Sequence, residues 1–395
     1  MSRPIYLDYH ATTPLDPRAL EVMLPYFTER FGNAASRQHA YGWEAQKGVD
    51  TAREQVAVLI GASAGEICFT SGATESNNLA IKGTAQSLRD RGRHLVSAVT
   101  EHKSVLDSFK RLEREGWTVT WLGVDGEGFV DLDELRAAIT PETVLVSVMA
   151  ANNEIGTIQN LAEIGAVTSD RGVLFHSDAA QAAGKTPIDV RAMNIDLLSL
   201  TGHKFYGPKG AGALFVRKRK PKQQLACQID GGGHENGLRS GTLNVPGIVG
   251  LGAAAEICKT ELASESVRMA ALRDRLLEAL RRDLDNIRVN GPLGDHRLPH
   301  NLHVTFEDVE GERLLMALGD LAVSTGSACS SGSQKPSHVL EAINASASPA
   351  SPDPKAQAGA IIRFGLGRWT TEAEIDAAAA RVVKVIRSLR SAASV

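Results

Sequence analysis

The stretch "EICFTSGATESNNLAIKGTAQSLRDRGRHLVSAV", residues 66–99, contains the pattern that decides the fold. Its first residues, 66–70, form a short apolar run that is typical of a buried strand. Residues 75–92 carry apolar side chains at helical spacing, and residues 94–99 are apolar again. A strand, a helix and a second strand in succession predict two parallel strands of an α/β sheet.

The same alternation continues toward the carboxyl terminus. A helix is predicted at residues 103–116, and further strands are predicted at residues 143–150, 172–178, 196–202 and 211–217. These strand candidates are largely apolar without alternation, as expected when helices cover both faces of a sheet. We therefore predict a doubly wound, mostly parallel sheet, which binds ligands at the carboxyl ends of its strands.

The pattern changes after residue 260. Residues 266–284 carry apolar side chains on a helical period with abundant charge, which predicts a helix. Residues 299–306 and 361–367 resemble strands, so a smaller α+β domain is predicted there. Residues 343–360 are rich in Ala, Ser and Pro, which predicts a mobile loop.

The composition limits the class of protein. The chain has 395 residues, enough for two domains, and a net charge of -3 that does not favour nucleic acid as a partner. No apolar run reaches about 18 residues and the amino terminus lacks a signal-peptide core, so we expect no membrane span. The four cysteines form no C-x-x-C pair, which predicts no zinc knuckle and fits a reducing cytoplasm. The basic run 217–222 is interpreted as a solvated turn, with contact to an acidic protein as the alternative.

The start of the first predicted helix is a candidate anion site. In "FTSGATESNN", residues 69–78, Gly72 permits a tight turn before Ala73 and Thr74. Free N–H groups at a helix start bind anions. A plain helix cap explains the same residues equally well.

Other predicted strands are also followed by polar side chains. Asp178 ends a buried strand, either as a helix cap or as a carboxylate that faces a cationic heteroaromatic nitrogen. Gln181 can reach the same ligand. His102 follows another strand, where a structural role is the commoner explanation, and the polar stretch 151–159 follows a third.

Lys204, within "SLTGHKFYGPKG", residues 199–210, also lies just past a predicted strand. A surface lysine needs no such setting. A lysine on the same edge as an anion site, a carboxylate, a histidine and an asparagine fits one cofactor, pyridoxal phosphate. That cofactor requires an amine for a Schiff base, an anion site for its phosphate and a carboxylate beside its pyridine nitrogen.

The chain resembles the cysteine desulfurases of the IscS/NifS type, in the class V family of pyridoxal phosphate enzymes with aminotransferase fold type I. The matching stretches cover nearly the whole chain in family order: "YLDYHATTPLDPR", "FGNAAS", "FTSGATESNNLAIKG", "TEHKSVLD", "NNEIGTIQ", "HSDAAQAAGK", "TGHKFYGPKGAGALFVR", "GGGHENGLRSGT", "STGSACSSGS" and "IRFGLGR". The resemblance implies a large domain, residues 16–258, with a mostly parallel seven-stranded sheet. It also implies a small α+β domain, residues 1–15 and 259–395, that carries a mobile loop around Cys329.

The resemblance implies a role for each residue beside the cofactor. Lys204 would form the Schiff base and move the substrate Cα proton. Asp178 would pair with the pyridine nitrogen, His102 would stack on the ring and Gln181 would contact the phenolic oxygen. The residues that would hold the phosphate are Ala73, Thr74, Thr201 and His203.

Three further residues have implied roles. Asn153 would contact the cofactor and, together with Arg363, position the substrate carboxylate, which an arginine binds well with two hydrogen bonds. Thr242 would reach the phosphate site of the other subunit, so the resemblance implies a homodimer.

Cys329 determines the implied reaction. Its stretch "STGSACSSGSQKP", residues 324–336, is small and polar, which predicts a mobile loop, whereas the other cysteines lie in apolar stretches and are predicted to be inert core thiols. Spacing alone leaves an incidental loop cysteine open. The resemblance implies that the Cys329 thiolate takes sulfur from L-cysteine as a persulfide, with L-alanine as product and His102 as proton donor.

The implied sulfur acceptor is an iron–sulfur scaffold or a protein that thiolates tRNA or a cofactor. No resident metal is implied, beyond Cys329 as a transient iron–sulfur ligand with a scaffold partner. The alternatives are a selenocysteine lyase, an aminotransferase, which gives no reason for Cys329, and a non-enzymatic partner-binding subunit, which would be expected to lose Lys204 or Asp178.

The chain departs from the family pattern at a few positions. Ala34 stands where the family usually has Pro, and Thr201 stands where Ser is common, although its hydroxyl can serve equally. Residues 344–359 differ from the short joint that is typical of the IscS type, so docking of the acceptor could differ. The long loop around Cys329 favours the IscS/NifS type over the SufS type.

Overall fold

The computed structural model describes residues 3–218, 225–325, 337–347 and 359–393. The strands of the described residues are β1 (Ile5–Tyr6), β2 (Ile67–Thr70), β3 (His94–Ala98), β4 (Thr118–Leu122), β5 (Thr143–Ser147), β6 (Leu174–Asp178), β7 (Leu197–Thr201), β8 (Gly212–Val216), β9 (Ile287–Val289), β10 (Asn301–Glu307), β11 (Leu321–Ala322) and β12 (Gly359–Gly365). The helices are α1 (Pro17–Met23), α2 (Pro25–Thr28), α3 (Ala40–Leu59), α4 (Ala73–Ser87), α5 (Lys103–Arg114), α6 (Leu132–Ala138), α7 (Leu161–Asp170), α8 (Val245–Asp283), α9 (Gly311–Ala317), α10 (His338–Ala347) and α11 (Glu372–Ala393). Within the described ranges, no helix combines the length and the apolar character needed to cross a membrane.

Seven strands form one central sheet, in the order β2-β8-β7-β6-β5-β3-β4. Strands β4, β3, β5, β6 and β7 run parallel, whereas β8 is antiparallel to both of its neighbours. Every side chain of β3, β5, β6 and β7 is buried, which explains why their sequences show no alternation of apolar and polar residues. The predicted α/β fold with a mostly parallel seven-stranded sheet is confirmed.

The strand at the far edge of this sheet was not predicted. In β4, which pairs only with β3, the first four side chains are exposed or partly exposed. Its sequence, "TVTWL", therefore lacks the continuous apolar run that marks the interior strands. The other strand predictions for this sheet agree with the observed strands to within a few residues.

Two smaller sheets lie beyond the large one. Strands β12, β10 and β9 form an antiparallel sheet, and β1 pairs with β11 in parallel. The apolar side chains of β10 and β12 form a second core with the last turns of α8 and with α11. The first half of α8 packs against the core of the large sheet. Because this single helix runs through the expected boundary at residue 258, the division into two domains stays a prediction.

The prediction of a mobile loop at residues 343–360 is wrong at both ends of that range. Residues 343–347 complete α10, residues 359–360 begin β12, and residues 348–358 lie outside the described ranges. Alanine is a strong helix former, and the apolar face of α10 is buried against the large core. The side chains on that face are Val339, Leu340 and Ile343.

Candidate active site

Predicted site segments follow four strands of the large sheet, all at the end of the sheet where these strands finish. Strand β6 ends at Asp178, and β7 ends at Thr201, which leads into the short turn Gly202–Lys204. His102 caps α5 after β3, and Gly72 caps α4 after β2. Because β2 is antiparallel to β8 and β8 is antiparallel to β7, β2 runs in the same direction as β7. The structure therefore brings these four groups to the same edge.

The amine of Lys204 lies against the amino-terminal segment. Its Nζ donates hydrogen bonds to the backbone carbonyls of His10 and Ala11, the second at 3.0 Å. The side-chain amide of Gln181 donates to the same His10 carbonyl at 3.1 Å. Lys204 and Gln181, both predicted site residues, thus meet at one backbone group.

His10 is buried and links this pair to the smaller antiparallel sheet. Its Nε2 accepts a hydrogen bond from Asn301 at 3.0 Å, and its Nδ1 lies 3.2 Å from Gln181 Oε1. The neutral tautomer with a proton on Nδ1 satisfies both contacts. Burial, and then the charge of Arg363, hold the pKa of His10 well below its usual value. His10 lies in a stretch that matches the family, but no role was predicted for it from the sequence.

Asp178 is buried and held by two donors. The backbone N–H of Ala180 donates to Oδ1 at 2.9 Å, and the amide of Asn77 donates to Oδ2 at 2.7 Å. Asn77 also donates to the hydroxyl of Ser104 at 2.8 Å, and that hydroxyl lies 2.8 Å from His102 Nδ1. A continuous network therefore joins Asp178 to His102. Asn77 and Ser104 were not predicted, because nothing local distinguishes them from other polar helix residues.

The start of α4 packs closely against the ends of β7 and β8. Gly72 has a φ of 152°, which residues with a side chain rarely adopt, and a Cβ on it would lie 3.4 Å from the Thr201 hydroxyl. A Cβ on Gly212 would lie only 2.5 Å from the Gly72 Cα. The first-turn N–H groups at Ala73 and Thr74 have no helical partner, so this end of a fifteen-residue helix can bind an anion beside Thr201.

The remaining predicted phosphate ligands, His203 and Thr242, lie in different surroundings. His203 lies 3.2 Å from the Thr12 hydroxyl, and burial, followed by the charge of Lys204, lowers its pKa to about 4. Its ring is therefore neutral near pH 7 and can offer a hydrogen bond but not a charge. Thr242 is exposed shortly before α8 and makes none of the contacts described above.

Arg363, in β12, is only 2% exposed. Its Nη1 donates to the backbone carbonyl of Asn153 at 2.7 Å, and its Nη2 donates to the carboxylate of Asp8 at 3.0 Å. The two residues predicted to bind substrate are therefore in contact. Asp8 was not predicted. A guanidinium in such a setting can bind a carboxylate through parallel hydrogen bonds.

Cys329 lies outside the described residues, but the chain on both sides of it is described. The backbone carbonyl of Ser324 accepts a hydrogen bond from the backbone of Arg363 at 2.7 Å. The hydroxyl of Ser337 donates to the carboxylate of Glu154 at 2.5 Å. Both flanks of the cysteine segment therefore contact elements that carry predicted substrate-binding residues.

The three cysteines of the described residues differ in how deeply they are buried. Cys68 and Cys258 are buried, and burial raises the pKa of both thiols, as expected for inert core residues. The prediction is wrong for Cys227, which is half-buried in an irregular segment and contacts the carbonyl of Ile229 at 3.0 Å. In the part of the chain that the structure describes, no three His, Cys, Asp or Glu side chains are grouped to hold a metal ion.

Comparison with known proteins places this geometry in a family. The family model described as aminotransferase class-V matches residues 5–378. A cysteine desulfurase IscS from Anaeromyxobacter sp. (strain K) is 56% identical over 390 residues, which cover 99% of this chain and 94% of that protein. A cysteine desulfurase IscS from Vibrio cholerae is 53% identical over 393 residues, 99% of this chain and 95% of that protein.

Solved structures agree with the sequence matches. A NifS-like protein has a TM-score of 0.88 at 37% identity, and the match covers 98% of this chain and all of that one. DndA from Streptomyces lividans has a TM-score of 0.75 at 39% identity, with 90% of this chain and 97% of that chain covered. The chain therefore belongs to the class-V aminotransferase family and, within it, to the cysteine desulfurases of the IscS type.

Proposed function

We propose that this protein is a pyridoxal-phosphate-dependent cysteine desulfurase that converts L-cysteine to L-alanine and leaves a persulfide on Cys329. The proposal rests on the shared contact of Lys204 and Gln181 with the His10 carbonyl, at the same end of the sheet as Asp178 and the start of α4. The names of the relatives supply the substrate. The persulfide sulfur passes to an acceptor protein in the cytoplasm, for iron–sulfur cluster assembly or tRNA thiolation.

The described side chains fit the proposed cofactor. Its phosphate requires N–H and hydroxyl donors in a space without a Cβ, which the Gly72 turn and Thr201 provide. Asp178 would face the pyridine nitrogen, His102 the ring and Gln181 the phenolic oxygen. When bound, pyridoxal phosphate supplies an electron-withdrawing ring that stabilises the charge left at the substrate Cα after proton loss. The other proposed phosphate ligands are Ala73, Thr74 and His203.

Lys204 is proposed to remove the Cα proton. Its amine is oriented by the carbonyls of His10 and Ala11, which accept two of its hydrogens. Arg363 and Asn153 would hold the substrate carboxylate. Because Arg363 already contacts Asp8, the substrate would have to share or replace that ion pair.

Cys329 is proposed to take the sulfur. Its thiolate attacks the substrate sulfur, so that a new S–S bond forms while the Cβ–S bond breaks and its electron pair leaves with the carbon fragment. Protonation of that fragment yields L-alanine, and His102 is the proposed donor for that step. The balance is one L-cysteine and one thiol converted to one L-alanine and one persulfide, so no external oxidant is required.

A homodimer is part of the proposal. Large apolar side chains are exposed near the amino terminus, including Phe31 at 63% and Tyr41 at 52%, and their rings lie 5.3 Å apart. Monomeric proteins seldom expose such clusters, which usually mark an interface. A partner subunit that covers this surface would also supply its own Thr242, which is the residue expected to reach the phosphate site of the other subunit.

The test is the release of alanine from L-cysteine by the cofactor-loaded protein with a thiol reductant. The proposal predicts alanine and sulfide in equal amounts. If the protein releases alanine from L-selenocysteine while L-cysteine only inhibits it, the protein is a selenocysteine lyase. Pyruvate formation from alanine with a 2-oxo acid would instead indicate an aminotransferase.

A further inference from the structure

A cavity with its own set of lining residues lies beside the turn after β6. Its volume is about 510 Å³, and it is lined by the turn after β6, by α8, by residues 294–299 and by part of residues 150–161. None of the predicted site residues lines it. Much of its wall is apolar, and the side chains that make it so include Ile158, Leu161, Ile188, Met193 and Ala270.

One of the residues that line this cavity is a buried arginine, and no carboxylate of the described residues lies within ion-pair distance of its guanidinium. Arg297 is 1% exposed, and its donors reach only neutral acceptors: the side-chain oxygen of Asn301 at 2.8 Å and the backbone carbonyls of Asn290 and Pro292. Within the described ranges it forms no ion pair. Burial, followed by the charge of Arg273, lowers the pKa of Arg297 to about 9.

Two further cations line the same cavity. Arg273 is paired with the carboxylate of Asp274 at 2.8 Å. Lys185 is 4% exposed, and its Nζ has no hydrogen-bond acceptor in the described chain; it lies 3.9 Å from the centroid of the Tyr206 ring instead. Asp295, at the rim, is exposed. Positive charge therefore exceeds negative charge around a largely apolar space.

A buried charge without a partner is costly, and the cost falls when an anion occupies the adjacent space. We propose that this cavity is a binding site for a small carboxylate with an apolar body, whose carboxylate lies beside Arg297. The apolar wall would cover the body of the ligand. None of the residues proposed to hold the cofactor lines this site, so it does not depend on the desulfurase proposal.

The probe for this site is phenylacetate, with its uncharged amide, phenylacetamide, as the matched control. Both are titrated calorimetrically into the full-length, cofactor-loaded protein. Phenylacetate is expected to bind at least about tenfold more tightly than phenylacetamide, because a charge-assisted hydrogen bond is lost with the amide. Equal binding of the two, or no binding of phenylacetate at about 10 mM, would overturn the proposal.

Two variants of α8 locate the site. Ala270→Phe fills the cavity, whereas Ala263→Phe adds the same ring at an exposed position outside it. We expect Ala263→Phe to bind phenylacetate as the wild type does and Ala270→Phe to bind it at least about tenfold more weakly. If Ala270→Phe binds normally, phenylacetate occupies another place, such as the Arg363 site, and the cavity proposal is wrong. Ala270→Phe should keep the circular dichroism spectrum of the wild type, which shows that the variant is folded. Because binding is measured and alanine release is not, failure of the desulfurase proposal would not affect the result.

Discussion

The side-chain amide of Asn77 donates a hydrogen bond of 2.7 Å to the carboxylate of Asp178. The other oxygen of Asp178 accepts from the backbone of Ala180, so both oxygens are oriented by donors at the buried end of β6. The same amide reaches Ser104 and, through it, His102. One helix residue thus fixes the relation between the carboxylate and the imidazole that are proposed to contact the cofactor ring.

Removing the charge of Asp178 should slow the proposed reaction. Asp178→Asn keeps the shape but cannot stabilise a cationic ring nitrogen, and we expect alanine release to fall by about a hundredfold or more. Asp170→Asn, on the exposed end of α7, is the control and should keep full activity. Unchanged activity in Asp178→Asn would remove this residue from the mechanism.

Lys204 should be the attachment point of the cofactor. Borohydride reduces a Schiff base to a stable amine, so reduced wild-type protein should carry pyridoxal phosphate on the peptide that contains Lys204. Lys204→Ala should carry none, whereas Lys209→Ala, which alters an exposed lysine of the same turn, should be labelled like the wild type. Mass spectrometry of the peptides measures both. A label on another lysine would contradict the assignment.

Burial of His176 predicts a loss of stability in acid. Its ring lies between the hydroxyls of Ser147 and Ser199, at 2.8 and 3.0 Å, and burial lowers its pKa from 6.5 to about 4. The folded state therefore binds fewer protons than the unfolded state between these values, and stability falls as the pH falls. From pH 6.5 to about 4.5 this one residue should lower the free energy of unfolding by about 2 kcal/mol.

Urea denaturation of the wild type and of His176→Gln at both pH values measures this contribution. Glutamine can still form hydrogen bonds with the two serines but does not titrate. The variant should lose less stability than the wild type over the interval, although other buried histidines contribute to both proteins. The same loss in both proteins would show that His176 does not titrate as described.

The aromatic surface near the amino terminus should hold the dimer together. The double variant Phe31→Glu with Tyr41→Glu introduces two charges where a partner would bury two rings, and the dissociation constant should rise by about a hundredfold or more. Met316→Glu changes an apolar side chain elsewhere that is 72% exposed, and this variant should remain dimeric. Light scattering over a dilution series distinguishes these outcomes. A wild type that stays monomeric at high concentration would contradict the homodimer.

The interior of the large sheet could be predicted because its strands are buried on both faces. Their apolar runs identify each strand, and the polar groups that follow, such as Asp178 and Lys204, stand out for that reason. The edge strand β4 is partly exposed and gives no such run. The order of the strands depends on tertiary packing, so no local pattern contains it.

The supporting residues of the site were harder to find. His10 contacts Gln181 across 171 positions of sequence, and Arg363 meets Asp8 across 355. Contacts of this kind are formed only when the amino-terminal segment packs between the two cores. Asn77 and Ser104 resemble any other polar helix residues in the sequence, because the hydrogen bonds that join them to each other and to Asp178 form only in the folded chain.

The most direct test compares alanine release from L-cysteine by wild type, Cys329→Ser and Cys227→Ser. Cys227 is the half-buried cysteine of the described chain and is the matched control. We expect wild type and Cys227→Ser to form alanine at the same rate and Cys329→Ser to form almost none. Equal rates in all three proteins would rule out the persulfide mechanism, because sulfur would then leave L-cysteine without the Cys329 thiol.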